Sequence, residues 1–425
     1  MTILQTVVRS GFGCDGHDVA KKVVTIDAAL ALIPDRTAVV DGTENIHLGQ
    51  ALGRVLARPV TSRCMSPPFD NAAMDGFSFA SAALPGDGPW MLDVVARVPA
   101  GQSSAVPLVG LQAARIFTGA QVPEGADAVV MQEDVKRTGS TIRIDRRPKP
   151  GLNIRRVGSE MAAGVTVLDQ GRRLGPREIA ACAAAGAGSV TVRRRLCVAL
   201  LVTGDEIPNA GAGRAEAQIW DVNTPMLTAV LTQPHLDLVA VEQGLDSRDG
   251  LFLQIAEMAA IADLVITTGD MSVGEEDHVK PALLALGGEI YFSGVAIKPG
   301  KPVSFGRVRG ASWLGLPGNP LSAFVNWQLI GTALVARLTG DAGQVARRHV
   351  VTGTAISRKA GRCELRPATC AGFDGQGREV VTFEAETHSA HVRTLPEAGG
   401  LIFLPADCDF LPAGALVEFQ PFCRT

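Results

Sequence analysis

Three loops in the middle of the chain carry residues whose types could do chemistry. LCVALLV runs into Thr203-Gly204-Asp205-Glu206. DLVITT runs into Gly269-Asp270-Met271-Ser272-Val273-Gly274-Glu275-Glu276-Asp277. SWLGL runs into Pro317-Gly318-Asn319-Pro320. Ligands on open parallel sheets bind outside the carboxyl ends of the strands, so all three loops should open on one rim. Glycines let backbone N–H groups approach an anion, and the helix starts that follow add favourable dipole ends. Asp205, Glu206 and Asp277 would repel a phosphate there unless a divalent cation sits between them. Mg²⁺ held by a few carboxylates and the substrate's phosphates fits that composition. A lone Asp after a Gly is ordinarily a turn or helix cap, but three such loops at three strand ends point to a site.

A second constellation is VAIKPGKPVSFG, where Lys298 and Lys301 flank Pro299-Gly300. Two ammonium groups on a stiff turn can hold an oxyanion such as phosphate or molybdate, although taken alone the turn reads as a solvated hairpin tip. Gly300-Lys301 is not a P-loop: the spacing fails, and Pro302 stands where Ser or Thr is required. A third lies in SPPFDNAAMDGFSF, with Asp70 and Asp75 in a loop of small residues. It is followed by Arg115-Ile116-Phe117-Thr118-Gly119 and the acidic pair Glu133 and Asp134. By themselves these are equally ordinary turn residues. Asn153, Arg155, Arg156 and Glu160 lie in GLNIRRVGSEMAAG, where the arginines could reach a phosphate but more often only face solvent. His388 and His391 have the spacing of a helical metal pair, yet their region reads as strand and loop and offers no third ligand. No GxSxG elbow and no GxGxxG fingerprint is present.

These groups need elements to hold them. IDAALALI after Thr25 has helical spacing, and NIHLGQALGRVLARPV reads as a turn, a short helix and an extended exit ended by Pro59. From about 60 to 150, short apolar runs separated by Gly and Pro indicate a small β-rich domain. GPREIAACAAAGAGSVTV reads as a Pro-started helix, a turn and a strand. From Leu196 to about Leu338, the strands LCVALLV, LDLVAVE, DLVITT, EIYFSGVAI, VSFGRV and SWLGL alternate with helices after Asn223, Arg248, Glu276 and Asn319. That alternation argues for a mostly parallel sheet covered on both faces. Residues 345–425 return to β patterns.

Composition bounds the possible partners. The chain has 425 residues, enough for roughly three domains. With 43 acidic against 40 basic residues the net charge is −3, so any phosphate recognition must be local. Aromatic residues are 5%, too few for base-stacking surfaces, and no nucleic-acid partner is expected. The apolar run Leu196–Val202 is far short of the ~20 residues that span a bilayer, so no membrane partner is expected either. Residues 1–17 look like a mobile leader without a signal-peptide pattern. The 8 Cys show neither CxxC nor zinc-finger spacing and read as reduced thiols in a cytoplasmic protein.

PFDNAAMDGF, IFTGAQVPEGADAVVMQED, NIRRVGSEMAAG, LVTGDEI, DVNTPML, DLVITTGDMSVGEEDHVKPAL, IKPGKPVSFG and LGLPGNPLSAFV occur in this order over about residues 25–425. Together they resemble the molybdopterin molybdenumtransferases, the MoeA-type proteins related to the E domain of gephyrin. The resemblance implies a multidomain α/β and β fold in an elongated homodimer. Domain I would be discontinuous (18–60 with 152–194). Domain II (61–151) would be β-rich, domain III (195–340) the doubly wound molybdopterin-binding-like α/β unit, and domain IV (345–425) a small β-barrel.

The implied activity is insertion of molybdate into adenylylated molybdopterin, with Mg²⁺ present and AMP released. The cleft would lie between domain III of one subunit and domains II and IV of the other. The resemblance places Glu206 and Asp277 near metal and phosphate, and gives Asp75, Thr118 and neighbouring Gly119 to the domain II side. It sets Ser272 and Gly274 facing the pterin phosphate. Lys298, Lys301, Pro302 and Ser322 fall on the oxyanion side, and Pro317 and Gly318 shape the adjacent turn. Several positions depart from the family pattern: Asp270 replaces a Gly, Ala72 a Ser, and Ser159-Glu160 a Glu-Asp pair. Pro367 replaces an Arg that Arg366 could supply instead, and THSAHVRT replaces a Gln-Gly-Ser pattern, keeping Ser389. The alternative they raise is a paralogue of altered activity, or a non-catalytic dimeric scaffold that binds molybdopterin.

Overall fold

The computed structural model describes residues 23–204, 218–245, 247–269, 278–343 and 346–422. The leader 1–17 lies outside them.

Six strands form the central sheet, in the order 236–243, 196–202, 264–269, 311–317, 304–308, 289–293. The first four are parallel neighbours. The last two join by antiparallel pairings, which reverse Ser304–Val308 alone. Five of the six strands thus point one way, the mostly parallel sheet that the alternating pattern predicts. The reversal has a local reason: VSFGRV and SWLGL are joined by the two-residue turn Arg309-Gly310, and so short a connection permits only an antiparallel hairpin.

Strand residues sort by period two between the faces. Leu196, Val198, Leu200 and Val202 enter one core cluster with Leu264, Ile266, Leu314 and Leu316. Ala199, Leu201, Val265 and Trp313 enter the other. Helices Asn223–Leu231, Arg248–Ile261, Val279–Ala285 and the run Pro320–Thr339 supply the covering layers. That last run is apolar and long enough to cross a bilayer, yet 72% of its most apolar stretch is buried in this fold. At the strand starts, Arg194 grips Asp263 through Nη1 at 2.7 Å and Nη2 at 2.8 Å, which explains the basic flank of LCVALLV.

Thr25 caps the helix Ile26–Arg36 by accepting from Ala28 N at 3.2 Å. Ile26, Ala29 and Ile33 join the core of the α/β unit. This start of the expected domain I therefore packs on the neighbouring unit, because its apolar stripe finds its cover there. Residues Thr43–His47 form a strand antiparallel to Ser189–Arg193. Only Leu48–Gln50 winds, as a single 3₁₀ turn. The short helix expected in NIHLGQALGRVLARPV gives way to this long-range pairing, which buries Val190 and Val192. The helix Pro176–Ala184 forms as expected, with Glu178 accepting from Gly175 N at 3.1 Å.

Between the two passes through that unit, another six-stranded sheet closes over Phe77, Phe79, Trp90, Leu92 and Ile142. At the far end, Cys363–Phe373, Glu379–Phe383, Arg348–Thr352, Leu416–Pro421 and Gly400–Leu404 pair in a ring back to Cys363–Phe373, a closed barrel. A short strand from the α/β unit, Ile297–Lys298, adds to it in parallel, opposite Cys363 and Glu364.

His235 sits just before the edge strand, 5% exposed, with no partner for Nδ1. Burial, then the nearby Arg173 charge, push its pKa down from 6.5 to about 4. The folded state thus resists a proton that the unfolded chain accepts, so stability is lost as pH falls from 6.5 toward 4. Replacing His235 with Gln should flatten this limb. Unfolding monitored at pH 7 and pH 5 should show a difference in stability smaller by about 2 kcal/mol in the variant.

Candidate active site

Parallel pairing puts Val202 beside Thr268 and Gly269 beside Pro317. Side chains then lock the three strand ends together. Thr203 N donates to Thr268 O at 2.8 Å. Thr268 Oγ1 donates to Pro317 O at 3.1 Å. Asn223 Nδ2 donates to Thr268 Oγ1 at 3.2 Å and to Gly318 O at 2.7 Å. Pro317 is buried and Gly318 exposed. The three ends therefore share one rim, as the strand pattern requires. Asp205, Glu206, Asp270, Ser272, Gly274 and Asp277 belong to loops that leave this rim and lie outside the described residues.

The lysine turn lies on the same unit. Lys298 and Lys301 are both exposed, and Pro302 is half-buried. Gly300 has φ +91°, and a Cβ there would stand 2.0 Å from Asn326 Nδ2, so only glycine fits. Asn326 donates to Gly300 O at 3.0 Å and to Ser322 O at 2.9 Å. Ser322 itself is 2% exposed. Lys298 Nζ lies 3.4 Å from Glu364 Oε1.

Glu364 is 1% exposed and gathers two more cations: Arg366 Nε at 3.0 Å and Arg358 Nη1 at 3.7 Å. Burial alone would raise its pKa, but Arg366 and then Lys298 outweigh it and hold the carboxyl below its usual range. Arg366 also donates through Nη1 to Glu384 O at 3.0 Å and Ala385 O at 2.6 Å. Its Nε and Nη1 are thus spent on the barrel's own structure. Arg366, Pro367, Leu321, His388, His391 and Arg393 line a cavity of about 300 Å³. The rings of His388 and His391 stand 4.5 Å apart. Among the described residues no group of three or more His, Cys, Asp or Glu is placed to hold a metal.

On the β-rich unit, half-buried Asp75 accepts from Thr118 N at 2.8 Å and Thr118 Oγ1 at 2.7 Å. These bonds, the backbone one first, hold its carboxyl below the usual range. Gly119 N donates to Ala72 O at 2.8 Å, closing the same corner. Asp70 instead pairs with Arg156 at 2.6 Å and Val157 N at 2.8 Å. Glu160 accepts from Ser66 Oγ at 2.8 Å. Asp75, Thr118 and Gly119 are thus brought together on one unit, and Lys298, Lys301, Pro302 and Ser322 on another. Sequence reasoning missed Asn223, Asn326 and Glu364. A signal existed for two of them: Asn326 interrupts the apolar run AFVNW, and Glu364 precedes Arg366 by two residues, on the same face of a strand.

Comparison with known proteins matches the chain segment by segment. Residues 24–186 match the family described as MoeA N-terminal region (domain I and II). Residues 199–337 match a probable molybdopterin binding domain, and 349–422 the MoeA C-terminal region (domain IV). A molybdopterin molybdenumtransferase of Haemophilus influenzae is 36% identical over 406 residues, 94% of this chain and 99% of that protein. Molybdopterin molybdenumtransferase 2 of Mycobacterium tuberculosis is 33% identical over 384 residues, 88% of this chain and 93% of that one. The crystal structure of a molybdopterin biosynthesis MoeA protein from Pyrococcus horikoshii superposes with TM-score 0.77 at 26% identity, covering 94% of this chain and all of that one.

Gly269 tests the rim. Its φ is +126°, and a Cβ would meet Thr203 Oγ1 at 2.1 Å and Thr203 O at 2.3 Å. Gly269→Ala should cost about 2 kcal/mol or more and separate the strand ends. Denaturant unfolding should show a lower midpoint, whereas Gly287→Ala, with open space around it, should lose less.

Proposed function

The chain belongs to the MoeA family of molybdopterin molybdenumtransferases and acts in molybdenum cofactor biosynthesis, and on that premise we propose that it inserts molybdate into adenylylated molybdopterin, with AMP released in the presence of Mg²⁺. The observation that supports this most is the rim, where Asn223 and Thr268 tie three strand ends into one edge. The lysine turn lies on the same unit, tied by Asn326 to the segment carrying Ser322.

In this reading the exposed ammonium groups of Lys298 and Lys301 hold molybdate, a doubly charged oxyanion, beside Pro302 and Ser322. Pro317 and Gly318 shape the strand end next to them, and backbone N–H groups around Ser272 and Gly274 receive the pterin phosphate. Glu206 and Asp277 follow neighbouring strand ends, and two carboxylates there make the hard-oxygen donor set that suits Mg²⁺. Those carboxylates would hold Mg²⁺, which when bound would supply positive charge beside the phosphates. The lysines act on the phosphates' charge from the molybdate side, so attraction is strongest where charge develops.

Asp75, fixed by Thr118 in the corner that Gly119 closes, completes the cleft from the β-rich unit of the second subunit in a homodimer. Exposed Leu52, Met65, Leu152, Val157 and Val165 supply apolar surface for such a partner to cover. Among the described residues, the unbridged thiols of Cys64, Cys182, Cys197, Cys370 and Cys408 suit a reducing, cytoplasmic setting.

The test is AMP release from adenylylated molybdopterin by the purified protein. Release should require both molybdate and Mg²⁺. Asp277→Asn should lower kcat by about 100-fold, near 2.7 kcal/mol of barrier, with the melting temperature almost unchanged. Pterin bound without AMP release would mark a scaffold instead, and normal turnover by Asp277→Asn would remove the metal role.

A further inference from the structure

A polar side chain in the wrong place identifies a further residue of this site. Asn326 is 0% exposed within a helix whose neighbours Val325, Trp327, Leu329 and Ile330 are buried apolar groups. A buried amide is costly unless its hydrogen bonds are made. The Ser322 carbonyl that Asn326 Nδ2 reaches is four residues back in the same helix and normally accepts from the Asn326 backbone N–H. The bond to Gly300 O is therefore the one that needs an amide here. Asn326 Oδ1 has no partner among the described residues, so half the amide's capacity is given up to keep the other half.

The fit is reciprocal. Gly300 turns with φ +91° against the amide, and any side chain there would strike Nδ2. Directly after Asn326 the helix widens into a π-turn over Trp327–Gly331, an irregularity frequent at functional sites. One amide therefore bolts the Lys298–Lys301 turn to the helical turn that carries Ser322. Two segments about twenty residues apart in the chain meet through it.

Resting on the reading above, that these two segments receive molybdate, we propose that Asn326 is a positioning residue: it sets the lysine turn at the distance from Ser322 that the oxyanion requires. It touches no substrate, and its effect falls on molybdate alone. Glu364 restrains only the tip of Lys298, whereas Asn326 fixes the backbone from which both lysines leave.

The experiment uses the full-length protein and steady-state AMP release. Asn326→Leu keeps the branching at Cγ, in a larger side chain, and removes both donors. It should raise the KM for molybdate about tenfold, the equivalent of one lost hydrogen bond. Its kcat and its KM for adenylylated molybdopterin should stay within about twofold. Asn326→Ser is one atom shorter, so its hydroxyl bonds back to Ser322 O and leaves Gly300 O without its donor, and it should raise the same KM severalfold. It also keeps the test alive if the Leu variant folds poorly, a point settled by thermal melting before assay. Equilibrium dialysis of inorganic molybdate against the same proteins repeats the comparison without turnover.

Lys301→Ala runs in parallel. If Lys301→Ala raises the molybdate KM and the folded Asn326 variants do not, positioning by Asn326 is overturned while the molybdate site stands. If neither raises it, the lysine-turn assignment is wrong and the role of Asn326 falls with it. Equal losses in kcat and both KM values would show a general structural defect and overturn the proposal.

Discussion

Parallel pairing constrains where this molecule can do chemistry. Strands Leu196–Val202, Leu264–Gly269 and Ala311–Pro317 lie side by side and point the same way, so their following loops must leave together. Burial of the strands on both faces leaves that edge as the place where backbone groups meet solvent. Side chains then finish what the pairing begins. Thr268 and Asn223 satisfy carbonyls that strand pairing alone would leave open, and these bonds make the edge rigid. The lysine turn depends on the same logic, with Asn326 supplying the donor.

Charge is kept inside this molecule where opposite charge closes around it. Glu364 is almost fully buried, yet three cations surround it. Taking a carboxylate out of water is expensive, and only close opposite charge with hydrogen bonds compensates. Here the compensation joins two units: Lys298 comes from the α/β unit, while Arg358 and Arg366 belong to the barrel side. The lysine that faces solvent is thereby anchored by a group that solvent never reaches. Arg366 has its Nε and Nη1 engaged here, so it does not simply stand in for the Arg that Pro367 replaces.

Much of this was legible in the residues. LCVALLV, DLVITT and SWLGL announce buried strands by their unbroken apolar runs, and Gly-rich loops after each announce the rim. Thr25 and Pro176 announce helix starts by known capping chemistry. What stayed hidden is long-range. Asn45-Ile46-His47 carries no strand pattern of its own and pairs only because Thr191, Val190 and Ser189 arrive opposite it. The helix Ile26–Arg36 shows its apolar stripe plainly, but the stripe does not say which unit it will cover. Asn326 and Glu364 are single polar residues in apolar surroundings. Their partners, Gly300 and Lys298, lie 26 and 66 residues away, beyond the reach of any local pattern.

The strand Ile297–Lys298 grows out of one unit and is sewn along the flank of another, opposite Cys363 and Glu364. Its last residue is also the first lysine of the turn. The barrel is therefore harnessed to the binding machinery by main chain as well as by charge. A swing of the barrel would drag that lysine along, and a chain cut short before the barrel would lose the wall against which the lysine leans.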